Sequence, residues 1–159
     1  MPAPRRIAVD DLTANHIGTF KKLHQVLFPI EIAPSFYKDA LNTTLTLSKL
    51  GYFNDIPVAC FSAKIQPEKN GARVYLLTFG VLAPYRRLGI GEKMLEYLEN
   101  HVKNELKAKD IALHVQEGND AKEWYLKRGY VEEKFDEKYY PKNNPSGAYL
   151  LRKSMQQAS

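Results

Sequence analysis

The segment Val81-Leu-Ala-Pro-Tyr-Arg-Arg-Leu-Gly-Ile-Gly91 decides the fold, because it joins two stretches with different hydrophobic patterns. The stretch before it, from Arg73 to Val81, is rich in apolar residues on both faces, as in a strand in the middle of a sheet. The stretch after it has an apolar stripe at helical spacing, formed by Ile90, Met94, Leu95, Leu98, Val102 and Leu106. The pattern predicts a buried strand, a tight turn and a long helix.

The turn itself has the composition of a phosphate site. Backbone N–H groups at the start of a helix point outward with partial positive charge, and glycine lets a ligand approach them closely. Arg86 and Arg87 add charge for phosphate oxygens. A P-loop is excluded because Glu92 follows Gly91, and the dinucleotide fingerprint is excluded because Met94 stands where it needs a third glycine. The segment therefore predicts a pyrophosphate cradle of another kind.

The remaining elements follow the order βααβββαβαββ, which predicts one α/β domain of the α+β type with a mixed sheet of about seven strands. Asp10, Asp11 and Thr13 offer caps for the first helix, and the strand alternation slips once, near Leu50-Gly51. We expect a single domain over residues 1–159, with an ordered core from about residue 6 to 153. The predicted strands are 7–9, 45–52, 57–65, 73–81, 111–115, 130–138 and 148–153, and the helices lie near 17–27, 35–41, 90–107 and 119–128.

Composition narrows the class of protein. The chain has 159 residues, 44% hydrophobic and 26% charged, which is typical of a globular domain. One cysteine permits no disulfide within the chain, and neither a membrane span nor an apolar signal core is visible. We therefore expect a cytoplasmic protein that could also enter the nucleus. The net charge of +5 suits an anionic ligand or a ribosome surface, or simply a solvated surface with excess lysine.

The hexapeptide Arg86-Arg-Leu-Gly-Ile-Gly91 resembles the Q/R-x-x-G-x-G/A signature of the GNAT acetyltransferases, whose loop amides hold the pyrophosphate of acetyl-CoA. The longer block from Val74 to Gly91 resembles the core of the N-alpha-acetyltransferase 50 family, the catalytic subunits of NatE. The resemblance runs from residue 7 to about 153. Further matching blocks are Val26–Ile30, Phe36–Asp39, Tyr52–Ile56, Leu113–Gln116, Asn119–Gly129 and Tyr139-Tyr140.

The resemblance implies an enzyme that acetylates protein N-termini, Met-started ones above all, beside the NatA complex on ribosomes. We expect no membrane association, because no apolar run approaches the ~20 residues of a membrane span. The implied catalytic residues are Tyr75 and His114. The implied acetyl-CoA site comprises Phe79, Val81, Arg86, Arg87, Leu88, Gly89, Ile90, Gly91, Asn119 and Tyr125. The implied peptide groove comprises Phe28, Pro29, Ile30, Tyr139 and Tyr140, with Tyr75 and His114 at its end.

Acetyl transfer to an amine needs a neutral amine and a proton for the departing thiolate. An α-amine titrates near 7.7–8.0, so a histidine is a sufficient base, whereas a lysine amine near 10.4 needs a stronger one. Tyr75 and His114 lie on two predicted strands and could share an ordered water that relays the proton. The Tyr125 hydroxyl could donate to the thiolate. Each of the three could instead be a packing residue of the core.

Three other interpretations stay open from the residues. The chain could be a docking subunit with minor activity of its own, or it could acetylate lysine or a small amine. Cys60 could be an acyl-carrying nucleophile, although its apolar strand favours a buried structural thiol. The four histidines have no metal-ligand spacing, and no motif of a sequence-specific nucleic-acid reader is present. Glu31 and Ile32 depart from the family pattern, so the second-residue preference stays open.

Overall fold

The computed structural model describes residues 5–28 and 31–156, and its elements follow the predicted order. The strands are β1 Ile7–Asp11, β2 Thr46–Phe53, β3 Ile56–Glu68, β4 Gly71–Val81, β5 Asp110–Gln116, β6 Val131–Asp136 and β7 Ala148–Ser154. The helices are α1 Ile17–Leu27, α2 Pro34–Ala40, α3 Ile90–Asn104 and α4 Ala121–Leu126, with 3₁₀ turns at Ala14–His16 and Ala83–Tyr85.

The predicted cap of α1 is wrong. Asp10 and Asp11 belong to β1, because that strand pairs with β2 as far as Asp11 and the Asp11 carboxylate binds the Lys49 ammonium. Thr13 precedes a 3₁₀ turn, and its hydroxyl contacts His16 Nδ1 at 3.1 Å instead of a backbone N–H group. The helix therefore starts later than a capping residue at Thr13 would place it.

The seven strands form one mixed sheet, as the sequence predicts, and their order in the sheet is β1-β2-β3-β4-β5-β7-β6. β4 lies in the middle, and its contact with β5 is the parallel one, whereas the other strand pairs are antiparallel. The predicted slip in β2 is a β-bulge between Gly51 and Tyr52. Gly51 is required there, because a Cβ would lie 2.9 Å from that of Ala59.

The sheet opens between β4 and β5. These strands pair only through Val74↔Ile111 and Tyr75↔Ala112, although both continue beyond Tyr75 and Ala112. A β-bulge at the same point leaves Leu77 without a partner on β3. An inserted residue reverses the alternation of side chains, so Tyr75 and Thr78 lie on the same face of β4.

The other end of this strand pair is held by charge. Asp110 begins β5, and its carboxylate is buried between two arginines. Arg73 Nε of β4 lies 3.3 Å from one carboxylate oxygen, and Arg152 Nη1 of β7 lies 3.1 Å from the other. The three strands are therefore fastened at one end and free to separate at the other.

Two hydrophobic clusters cover the two faces of the sheet. On one face α3 buries the predicted stripe from Ile90 to Val102, with Met94, Leu98 and Val102 fully inaccessible. The helix ends at Asn104, so Leu106 lies beyond it and is only partly buried. Each such side chain contributes roughly 1.5–3 kcal/mol to folding. On the other face α1 and α2 pack through Phe20, Leu23, Tyr37, Ala40, Leu50 and Cys60. Across the ranges that the structure describes, no helix has the length and apolarity that crossing a membrane requires.

Candidate active site

The turn before α3 presents a row of free backbone donors. Arg87 and Gly89 have φ angles of 65° and 92°, in the left-handed region, and α3 begins directly after them. Within the described ranges, no protein acceptor bonds the N–H groups of residues 87 to 92. Successive N–H groups in such a conformation, at the positive end of a helix dipole, form an anion-binding concavity.

Neighbouring arginines make this concavity suitable for an anion, because the first turn of α3, which the structure describes in full, holds no unpaired negative charge. The Arg128 guanidinium binds the Glu92 carboxylate at 2.8 Å and lies 3.9 Å above the Trp124 ring, so the one acid in the first turn is neutralised. Arg86 Nε donates to the Val81 carbonyl at 3.0 Å, which fastens the turn to the end of β4. The predicted cradle residues thus fit a pyrophosphate group.

The wall between this turn and the sheet opening is aromatic. Phe79 of β4 contacts Trp124 and Tyr125 of α4, with ring centroids 5.7 and 6.1 Å apart. Burial raises the pKa of the Tyr125 hydroxyl well above its ordinary value, so it keeps its proton. In the part of the chain that the structure describes, that hydroxyl makes no hydrogen bond, and it is free to donate to a ligand. Asn119 uses its side-chain oxygen to accept the Ala121 N–H at 2.8 Å.

Tyr75 and His114 meet on the opposite face, where β4 and β5 part. The Tyr75 hydroxyl lies 2.5 Å from His114 Nδ1. The contact is direct, so a water that relays a proton would bind beside the pair and not between its two members. The sequence predicted this pairing of residues, and the structure brings them together from two strands.

Two tyrosines of the loop after β6 complete this side. The Tyr139 ring stacks on His114 with centroids 3.9 Å apart and an angle of 11° between the planes. Its hydroxyl lies 3.0 Å from that of Tyr75. The Tyr140 ring meets Tyr139 edge-on at 4.8 Å. A chain of polar atoms therefore runs from Tyr139 through Tyr75 to His114.

The environment keeps the Tyr75–His114 pair neutral at pH 7. Burial lowers the pKa of His114 below its ordinary 6.5, while Asp136 and Lys134 act on it in opposite senses. Burial and the Tyr139 hydroxyl raise the pKa of Tyr75. When His114 donates from Nδ1 to Tyr75, its Nε2 is left as an acceptor, which is the form a general base needs.

The other predicted residues divide into those placed and those outside the described ranges. Phe28 lies at the end of α1 against β4, since a Cβ at Gly80 would be 3.2 Å from Phe28 Cζ. Pro29 and Ile30 lie outside the described residues. Cys60 is fully buried, and burial raises its thiol pKa, so the nucleophile interpretation is wrong. Leu88 and Ile90 pack against the cluster under α3.

Sequence reasoning missed three features: the bulge at Leu77, the Glu92–Arg128–Trp124 group, and a buried hydrogen bond between His24 and Thr78. A threonine among apolar residues in a central strand was the one signal of the last, because a buried hydroxyl needs a partner.

The comparisons with known proteins agree with this geometry. Residues 13–130 match the model of the Acetyltransferase (GNAT) family. N-alpha-acetyltransferase 50 of Danio rerio is 40% identical over 151 residues, which cover 94% of this chain and 89% of that protein. The probable N-acetyltransferase san of Drosophila melanogaster is 38% identical over 154 residues, covering 96% and 83%.

A solved structure shows that the similarity extends to the three-dimensional fold. Arabidopsis thaliana Naa50 in complex with the bisubstrate analogue CoA-Ac-MVNAL superposes with a TM-score of 0.84 at 34% identity, covering 93% of this chain and 98% of that one. A match over 93% of the chain is not limited to one motif. This chain belongs to the GNAT acetyltransferases and, within them, to the N-alpha-acetyltransferase 50 family.

Proposed function

We propose that this N-terminal acetyltransferase moves the acetyl group of acetyl-CoA directly to the α-amine of proteins that begin with methionine. One observation carries the proposal: the neutral Tyr75–His114 pair lies at the point where β4 and β5 separate, on the face opposite the free amides before α3. Two substrates bound on opposite faces would meet only at this opening. That arrangement favours a ternary complex over an acyl-enzyme.

Acetyl-CoA supplies a thioester and a pyrophosphate, and the protein has groups suited to both. The N–H groups of residues 87 to 92 would hold the phosphate oxygens, with Arg87 adding charge. Val81 and Leu88 would pack beside the pantetheine arm of acetyl-CoA. The Asn119 side chain still has its amide NH₂ group free to bind that arm. Tyr125, protonated in its apolar cluster, would donate a hydrogen bond to the thiolate as the C–S bond breaks, and the thiolate would take up its proton from solvent.

His114 and Tyr75 would take the proton that the amine loses. As the N–C bond forms, His114 Nε2 or a water beside it accepts that proton, and the Tyr75 hydroxyl holds the imidazole in place through Nδ1. Since burial lowers the pKa of His114, it is a weak base. Such a base suits an α-amine, which is partly neutral at pH 7, better than a lysine amine.

The face of the sheet on which the acceptor peptide would bind, called the acceptor side, also suits a methionine side chain. Phe28, Tyr139 and Tyr140 offer aromatic and apolar surface on the face of the sheet that carries Tyr75. The analogue bound by the Arabidopsis relative has the peptide part MVNAL, which begins with methionine. Both observations support a preference for Met at the first position.

Turnover of acetyl-CoA with a panel of peptides tests the proposal. The panel has peptides starting Met-Leu, Met-Lys, Ser-Glu and Ala-Ala, and one with a blocked N-terminus and an internal lysine. We expect turnover with the free Met-started peptides alone. Turnover confined to the blocked lysine peptide would assign the enzyme to lysine acetylation. Acetyl-CoA binding without any turnover would favour a docking subunit.

We also propose that the chain works in the cytoplasm beside NatA on ribosomes. The net charge of +5 supports contact with a polyanionic surface, and the family resemblance supports the partner. Affinity purification of the full chain from cells should recover NatA subunits at low and high salt, and ribosomes at low salt only. Recovery of neither would contradict this part of the proposal.

A further inference from the structure

His24 is a polar residue in the centre of the apolar cluster under α1. Its side chain is completely buried. Aromatic rings of Phe20, Phe28, Phe36 and Tyr37 lie around the imidazole, with centroids between 4.3 and 5.9 Å away. A polar side chain in such a place costs stability unless each polar atom has a partner. An apolar residue would fill the space without that requirement.

Both ring nitrogens do have partners, and the partners define the tautomer. Nδ1 lies 2.8 Å from the Phe20 carbonyl oxygen, which only accepts, so Nδ1 carries the proton. Nε2 lies 2.8 Å from Thr78 Oγ1 and accepts a hydrogen bond from the threonine hydroxyl. Burial lowers the pKa of His24, in agreement with a neutral ring. The bond to Thr78 is therefore directional and joins α1 to β4.

The two ends of this link belong to the acceptor side of the site. Thr78 directly follows the bulge at Leu77 and shares a face of β4 with Tyr75. The Phe28 ring packs 5.3 Å from the imidazole, and the Phe28 N–H donates to the His24 carbonyl at 3.0 Å. Gly80 permits this close approach of α1, since a Cβ there would meet Leu27 and Phe28 at 3.2 Å.

We propose that His24 is a positioning residue, which sets the spacing between Phe28 at the peptide entrance and the strand that carries Tyr75. It acts through Thr78 and Phe28 and touches neither substrate. The inference rests on the proposed peptide acetylation, in which Phe28 forms part of the groove. Loss of the link should therefore weaken peptide binding more than it weakens binding of acetyl-CoA, whose cradle lies on the other face.

Steady-state kinetics of His24→Leu, Thr78→Val and their double variant test this role. We expect each single variant to raise the KM for a Met-started peptide about tenfold, with the KM for acetyl-CoA within about twofold of wild type. Each single variant leaves one buried polar group without a partner, whereas the double variant leaves none. The double variant should regain thermal stability and still keep the raised peptide KM.

Two further variants separate positioning from general packing. His24→Gln places an amide near the position of Nε2 and should return the peptide KM to within about threefold of wild type. Leu23→Val alters the neighbouring buried residue of α1, keeps both hydrogen bonds, and should leave the peptide KM unchanged. If His24→Leu does not fold, Thr78→Val and His24→Gln carry the test.

The inference is overturned if the peptide KM stays at the wild-type value in the folded variants, or if it recovers with stability in the double variant. Calorimetric titration of peptide into the CoA-bound protein is measured alongside turnover. Absence of turnover by the wild-type protein would contradict the proposed function. Unchanged peptide affinity in the His24 and Thr78 variants would contradict the positioning role alone and leave the proposed function intact.

Discussion

The two sides of the β4–β5 opening are built in different ways. On the cradle side the phosphate-binding groups are backbone amides of one continuous segment, from Phe79 to Glu92, set by local φ angles. Asn119 and Tyr125 are its additions from outside that segment. The acceptor side is assembled from α1, two strands and a loop, and its groups are side chains. Its hydrogen-bonded residues, such as Tyr75 and Tyr139, lie up to 64 positions apart in sequence.

This difference predicts that the two sides fail independently. A substitution in the cradle changes the position of amides and should affect acetyl-CoA alone. A substitution on the acceptor side changes a hydrogen bond or a packed ring and should affect the peptide or the proton transfer. Substitutions on each side, with both the peptide and the acetyl-CoA constants measured, test that independence.

Removal of both polar groups of the catalytic pair should have the largest effect. The double variant Tyr75→Phe with His114→Ala should lower kcat about a thousandfold, since it removes the base and the group that orients it. Stopped-flow or steady-state turnover with a Met-started peptide measures this loss. Calorimetry should give an unchanged Kd for acetyl-CoA. Full turnover would contradict the mechanism, and a weakened Kd would contradict the independence of the two sides.

The pH dependence of kcat/KM should distinguish the titration of the acceptor amine from the titration of its base. As pH falls below the α-amine pKa near 7.7, kcat/KM should drop about tenfold per unit, because the amine protonates. The lowered pKa of His114 puts a second break below pH 6.5, after which the drop steepens to about a hundredfold per unit. His114→Gln should retain only the first slope between pH 8 and 5. A second break in that variant would exclude His114 as the base.

A methyl group at Gly89 should damage the cradle alone. Alanine in the left-handed region costs about 1–2 kcal/mol, and relief of that strain would turn the amides away, so we expect acetyl-CoA affinity to fall about tenfold. Gly71→Ala is a matched control, since Gly71 also has a positive φ but is the first residue of β4, at the end of that strand away from the cradle. It should lower the melting temperature and leave the affinity unchanged. Equal losses in both variants would contradict a local effect.

Loss of the Tyr139 hydroxyl should have the smallest effect. Tyr139→Phe keeps the ring stacked on His114 and removes one neutral hydrogen bond to Tyr75, worth about 1 kcal/mol, so kcat should fall about fivefold. Tyr149→Phe, the same change on a tyrosine of β7, should leave kcat unaltered. An unaltered kcat in Tyr139→Phe would remove Tyr139 from the proton chain and leave it as a wall of the groove.

The same difference explains what the sequence could predict. The order of elements, the seven strands and the bulge in β2 follow from local hydrophobic patterns, and the structure confirms them. The location of the cradle was predictable, because the glycine and arginine positions of one continuous turn indicate a helix start with exposed amides. The start of α1 was not, since the pairing of Asp11 with Lys49 across 38 positions overrides a local capping preference.

The acceptor side could be named only through resemblance. On their own, His114 and His24 are equivalent as histidines within apolar segments, and local pattern does not separate a base from a buried link. The structure separates them by partners: His114 meets the Tyr75 hydroxyl and the Tyr139 ring at an opening, and His24 meets a carbonyl and a threonine inside a cluster. Such contacts depend on strand register, which a bulge at Leu77 shifts without any clear mark in the sequence.

Because β4 and β5 pair over only two residues each, the rest of each strand has one edge without a neighbouring strand of the described chain, although both lie inside the sheet. Alternate backbone amides of an antiparallel pair point toward the same neighbour, so beyond the bulge, from Thr78 to Val81, every second N–H group faces β3, while the others face the opening. Hydrogen–deuterium exchange of the free protein should therefore alternate between slow and fast along this half of β4. A ligand that fills the opening should slow the fast amides and leave the slow ones as they were.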